Sequence, residues 1–161
     1  MKTNKLIITI LLLFFVYINL FANKDFATVQ TWRIIGPYPS KGDNSFYLDY
    51  LKKFGGEKSV NQQDINADWR LVGSDSNGFV DLSNFFNKAD NAKQIFYLFY
   101  CFNSEKEKNL AFTVGYTGGM QIWVNTKKVY SCLISRKPEP DDDLIAVKTR
   151  KGINNILIKI I

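Results

Sequence analysis

The chain has 161 residues, a net charge of +6 and no histidine. That length suits one domain. The missing imidazole removes the commonest general base, the usual zinc ligand and the triad partner of a nucleophile. Lys and Arg are scattered and form no run of five like charges, which excludes a nucleic-acid footprint.

Residues 1–22 read as a secretory signal peptide. Lys2 and Lys5 make a short basic start, Leu6 to Leu20 is an apolar run, and Ala22 is a small residue for cleavage before Asn23. The competing reading is an uncleaved anchor. The apolar run of fifteen residues is short for that, because a helix needs about 20 residues to cross the hydrocarbon core. Cleavage takes two lysines away and lowers the net charge from +6 to +4. The expected address is secreted, periplasmic or cell envelope, with membrane contact only through an uncleaved signal segment.

Residues 23–29 form a lead-in to one domain over residues 30–161. Gln30 to Ile35 reads as a strand, left by a turn at Gly36-Pro37-Tyr38-Pro39, because proline lacks the donor a central ladder requires. Phe46, Tyr47, Tyr50, Leu51 and Phe54 fall at helical spacing, with Ser45 as cap and Gly55-Gly56 as stop. Asp68 to Val72 and Gly78 to Leu82 read as short strands. Gln94 to Phe102 is apolar on both alternating faces, which fits a strand covered on both sides; its aromatic density disfavours a buried helix.

Asn109 to Tyr116 is a strand with Leu110, Phe112 and Val114 on one face. Gly118-Gly119 and Asn125-Thr126 bracket an alternating strand from Met120 to Asn125, and Lys127 to Leu133 resumes the strand pattern. Thr126 is β-branched and disfavours the positive φ of a two-residue turn, so a longer turn through Lys127-Lys128 is expected. Leu144 to Thr149 and Ile153 to Ile161 are the last strands. The pattern predicts an all-β fold, a β-sandwich with one short helix behind the signal segment.

Four segments carry a family resemblance in their order. They are Trp32-Arg-Ile-Ile-Gly-Pro-Tyr38, Tyr97 to Ser104, Gln121-Ile-Trp-Val-Asn-Thr-Lys-Lys-Val-Tyr130, and Asp143 to Lys159 with its Lys-Gly-Ile-Asn turn. Together residues 30–161 resemble the galactose-binding-like jelly-roll domains found N-terminal in exported bacterial hydrolases and envelope proteins. The resemblance implies a jelly-roll β-sandwich; it is the lack of histidine and of any nucleophile motif that argues against catalysis. The partners that the resemblance implies are a carbohydrate or an envelope protein.

Trp123 shares its strand face with Gln121 and Asn125, so that face is the candidate sugar platform, with Tyr116 and Tyr130 flanking it. Trp32 and Trp69 lie on mixed strands and are read as core. Asp141, Asp142 and Asp143 are candidate ligands for a structural Ca²⁺, against the plainer reading of a solvated loop; no other cofactor is expected. Cys101 and Cys132 either pair, as an oxidising compartment allows, or act as small buried hydrophobes. Asp49, Glu57 and Asp68 are the carboxylates available to a small hydrolase, and nothing in their spacing singles out a pair. The expectation is a non-catalytic exported module that binds carbohydrate. The alternative is a structural or protein-interaction domain accessory to, or left over from, a larger envelope enzyme.

Overall fold

The computed structural model describes residues 28–86, 93–134, 136, 137, 139 and 141–161. The signal segment, its cleavage point at Ala22 and Asn23, and the lead-in up to residue 27 lie outside the described residues. Among the described residues no helix is long and apolar enough to cross a membrane.

Eight strands are present among the described residues: β1 (Thr31–Pro39), β2 (Arg70–Gly73), β3 (Gln94–Ser104), β4 (Lys108–Val114), β5 (Gly119–Val124), β6 (Lys127–Leu133), β7 (Asp143–Thr149) and β8 (Gly152–Ile160). Six form one sheet in the order β2-β1-β3-β8-β5-β6, and β4 pairs with β7 in a second. Every pairing is antiparallel. The chain is an all-β sandwich.

The large sheet is covered on both faces, and strand parity decides which side chain goes where. One face carries Ile34, Phe96, Leu98, Met120, Ile122 and Ile158 against Ile145 and Val147 of the small sheet. The other carries Ile35, Ile95, Tyr97, Phe99, Trp123 and Leu157 under Leu51, Val60 and Trp69 from the connection between β1 and β2. Gln94 to Phe102 is apolar on both alternating faces for this reason. It lies between β1 and β8 at the centre, and all six residues from Gln94 to Phe99 are buried.

The connection covering the second face contains short 3-10 turns at Asp43–Tyr47, Lys52–Phe54 and Gln62–Asp64. These are what the helical spacing from Phe46 to Phe54 becomes. Ser45 sits inside the first turn, and its hydroxyl takes the Lys41 N–H at 2.7 Å. Gly56 bends the chain back at φ 95, and a Cβ there would lie 2.6 Å from Asp49 Oδ2.

Two expected boundaries differ. β1 runs on through Gly36-Pro37 to Pro39, with a shift in register between Ile35 and Tyr38 that accommodates the missing proline donor. Gly78 to Leu82 is irregular rather than a strand. There Asp75 Oδ1 takes the N–H groups of Asn77 and Phe79, and Asp81 Oδ1 takes that of Ser83. Such local bonds compete with a ladder.

The hairpin turn between β5 and β6 is also a correction. Asn125 and Thr126 form a two-residue connection with φ 49 and 72, and Val124 pairs directly with Lys127. The longer turn is avoided because Asn125 is held from three directions. Its N–H donates to Asn155 O at 2.9 Å, its Nδ2 to Asn154 Oδ1 at 2.8 Å, and its Oδ1 takes the Asn155 N–H at 3.0 Å. At the other end of β5, Gly118 has φ 80, and a Cβ there would lie 2.0 Å from Ile161 O. Only glycine permits that approach.

Candidate functional site

The five residues expected to bind a ligand fall into three places. Trp123 and Gln121 face the covered side of the large sheet and are each 1% exposed. Trp123 belongs to the apolar cluster with Leu51, Val60, Trp69 and Leu157, and the Lys128 ammonium lies 4.9 Å from its ring centre. Gln121 lies between Lys159 and Ser131 in the ladder and donates to Ser131 Oγ at 3.2 Å. The Trp123 ring is therefore core, and no sugar ring can reach it. Asn125 does turn work, as described above. Trp69 is core as expected; Trp32 is half-buried against Tyr100, ring centres 5.6 Å apart.

Tyr116 and Tyr130 instead meet the acidic loop. Their hydroxyls are 2.6 Å apart, and Tyr130 donates to Asp143 Oδ2 at 2.6 Å. With its one proton given to Asp143, Tyr130 accepts from Tyr116. Arg136 donates to the same Asp143 oxygen, lies 3.5 Å from Asp142 Oδ2, and places its guanidinium carbon 4.5 Å from the Tyr116 ring centre. Cys132 adjoins both hydroxyls.

The electrostatics of this cluster follow from its bonds. The Tyr130 and Arg136 donors hold the Asp143 carboxyl below the ordinary carboxylate value. Burial pushes Tyr116 up to about 12 and raises Tyr130 as well, the latter helped by Asp143. Asp143 holds the Arg136 charge above its ordinary value. The Tyr130 hydroxyl and one Arg136 terminal nitrogen both donate to Asp143, while Arg136 Nε is buried without a hydrogen-bond partner.

The three aspartates do not converge. Asp143 faces Tyr130 and Arg136, Asp142 faces Arg136 and the Glu139 N–H at 3.3 Å, and Asp141 accepts from Thr113 Oγ1. No group of three metal-binding side chains is found among the described residues. The Ca²⁺ expectation is not supported by this donor set, in which each carboxylate already has a partner.

Cys101 and Cys132 are free. Cys101 packs with the Trp123 face and Cys132 with the opposite face of the same sheet. Two strands, β8 and β5, lie between their own strands β3 and β6, a separation of roughly 14 Å at ~4.8 Å per strand. A bridge needs Cα atoms within about 7 Å.

A buried polar cluster was not foreseen. Lys159 of β8 is fully buried, and its ammonium lies 3.0 Å from Glu57 Oε1. It also donates to Leu48 O. Tyr97 donates to the same Glu57 oxygen at 2.5 Å. Asp49 takes the N–H groups of Leu51 and Glu57 at 2.8 and 3.0 Å. Burial lowers the Lys159 value and raises that of Tyr97, the latter with help from Glu57. The cluster ties the stretch from Leu48 to Glu57 onto the sheet. It occupies the place where Asp49 and Glu57 would have to face a cleft to act as a hydrolytic pair, while Asp68 pairs with Lys53 at the surface.

One groove opens between β6 and β7, beyond the point where Tyr130 bonds Asp143. It has a volume of about 310 Å³, with Val124, Val129 and Val147 in its lining and Lys127 and Lys148 exposed at its margin.

No protein-family model matches the chain, and no curated protein matches it in sequence. Solved structures do. A GH2 β-galacturonidase from Eisenbergiella tayi is 12% identical over 82% of this chain and 18% of that one, with a TM-score of 0.43. A β-glucuronidase from Ruminococcus gnavus is 15% identical over 86% of this chain and 22% of that one, with a TM-score of 0.44. The chain spans about a fifth of the length of these two proteins.

Proposed function

We propose that this chain is a non-catalytic, exported β-sandwich module of the galactose-binding-like jelly-roll kind, and that it works as a protein-interaction accessory in the cell envelope. The observation that carries this reading is the burial of Trp123 in the core, which removes the aromatic platform on which a sugar reading depends. The absence of histidine and the engagement of the acidic loop with Arg136, Tyr130 and Thr113 support a module without chemistry of its own. Among the described residues, strand edges without a neighbouring strand at both ends of the large sheet and in the small sheet support a partner-binding role.

The test is in-cell crosslinking of the full chain, followed by identification of the captured protein and reconstitution with that protein purified. A reproducible complex with one envelope protein is the expected result. Absence of any stable protein complex, with saturable binding on a glycan array, would replace this reading by carbohydrate binding. One observation favours that second reading: the aromatic side chain of Tyr47 is 68% exposed, beside Phe46. Loss of glycan binding in Tyr47→Ala would locate it.

A further inference from the structure

We infer that the groove between β6 and β7 receives an acidic, strand-forming segment of a partner protein, laid along the free edge of β7. This rests on the protein-interaction reading and names the chemistry of the partner. β7 pairs with β4 on one side, and among the described residues its other edge has no strand; β6 ends the large sheet on the same flank. Unpaired backbone donors and acceptors of that kind accept an added strand.

The side chains decide what that strand carries. Ile145 and Val147 point inward from β7, while Leu144, Ala146 and Lys148 point out. An added strand has the same period of two. Its inward residues would lie against Val124, Val129 and Val147 in the groove. Its outward residues would lie beside Ala146 and Lys148, with Lys127 exposed nearby. Alternating apolar and acidic residues satisfy both sides.

Charge distinguishes the occupant. Lys148 is paired with Glu107 at 2.5 Å, but both side chains are more than half exposed, so water screens the pair and an incoming carboxylate can compete for it. The chain carries net charge +6, or +4 once residues 1–22 are removed. A second copy docked on this edge would bring its own Lys127 and Lys148 against these, an opposition of like charges. An acidic partner is drawn to Lys127 and Lys148, with Glu107 to be displaced from Lys148.

The test uses the ¹⁵N-labelled full chain titrated with the capped hexapeptide Val-Glu-Val-Glu-Val-Glu, and with the same peptide carrying Lys for Glu. The expected result is saturable shifts of the Asp143–Thr149 amides with the acidic peptide alone, weakened by salt and about fivefold by Lys148→Glu. Shifts confined to other strands, equal binding of the basic peptide, or a concentration-dependent dimer blocked by Lys148→Glu would each overturn the inference. If the peptide fails while the chain still forms its reconstituted envelope complex, the groove is wrong and the broader reading stands. If both fail, both are wrong.

Discussion

Lys159 and Glu57 form an ion pair at 3.0 Å across 102 positions of sequence, with the lysine fully buried between the sheet and the stretch from Leu48 to Glu57. Removing one partner leaves the other charge buried. Lys159→Met should therefore destabilise the fold by about 3–5 kcal/mol. The pair is not expected to be a large net stabiliser, because both charges were taken out of water. Lys159→Met combined with Glu57→Leu should recover most of the loss. Urea midpoints of the four proteins in the cycle check this. A double variant destabilised by the sum of the two single variants would refute the coupling.

Why this pair escaped the sequence is a matter of register. In Ile158-Lys159-Ile160 the lysine looks like a solvated residue alternating with core. Its face becomes visible only when Leu157 and Ile161 are recognised as its neighbours on a second covered face. What covers that face is the connection between β1 and β2, a non-local fact that periodicity does not carry. The same fact misled the reading of Trp123 with Gln121 and Asn125 as a half-polar surface. By contrast, the two-sided apolar pattern of Gln94 to Phe102 described its own environment, so the central strand was legible. The turn at Gly118 was legible too, since its φ of 80 is a local backbone need, although its close approach to Ile161 O is not. Cys101 and Cys132 depended on strand order as well as parity, and neither follows from their spacing.

Trp123 supplies a second prediction. Truncating a buried aromatic removes its transfer energy and leaves a cavity, so Trp123→Ala should lower stability by about 3–5 kcal/mol. Acrylamide quenching offers an independent reading. In Trp32→Phe the two remaining tryptophans, Trp69 and Trp123, should both be strongly protected, since they are 2% and 1% exposed. Efficient quenching of that variant under native conditions would mean an open Trp face and would restore the platform.

The Tyr130–Asp143 bond predicts an acid limb. Asp143 is held below its ordinary value of 3.8 chiefly by the Tyr130 donor and then by Arg136. Its contribution to stability is present above the unfolded value and is lost as pH falls through the depressed folded one. Tyr130→Phe removes the larger cause. Asp143 should then titrate closer to 3.8, and acid unfolding should begin at a higher pH. On the alkaline side Tyr116, raised to about 12, contributes stability below the ordinary value of 10.0 that is lost as pH climbs from there. Carboxyl ¹³C titration of Asp143 in both proteins is the direct measurement. Identical curves would sever the link between the hydroxyl and the carboxylate.

The hairpin turn gives the last prediction, and here two effects oppose each other. Thr126 sits at φ 72 with a β-branched side chain, and a non-glycine residue held in that region costs about 1–3 kcal/mol. Asn-Gly is the sequence such a two-residue turn prefers, because glycine takes positive φ without strain. Thr126→Gly relieves the strain but loosens the unfolded chain, which costs about 0.4–1 kcal/mol. The strain is the larger of the two. Asn125, already held by Asn154 and Asn155, keeps the register unchanged. The variant should gain about 1 kcal/mol, or about 3 °C in melting temperature for a chain of this size. Amide shifts should change only around the turn. A fall in melting temperature would mean that Thr126 makes a stabilising contact outweighing its backbone conformation.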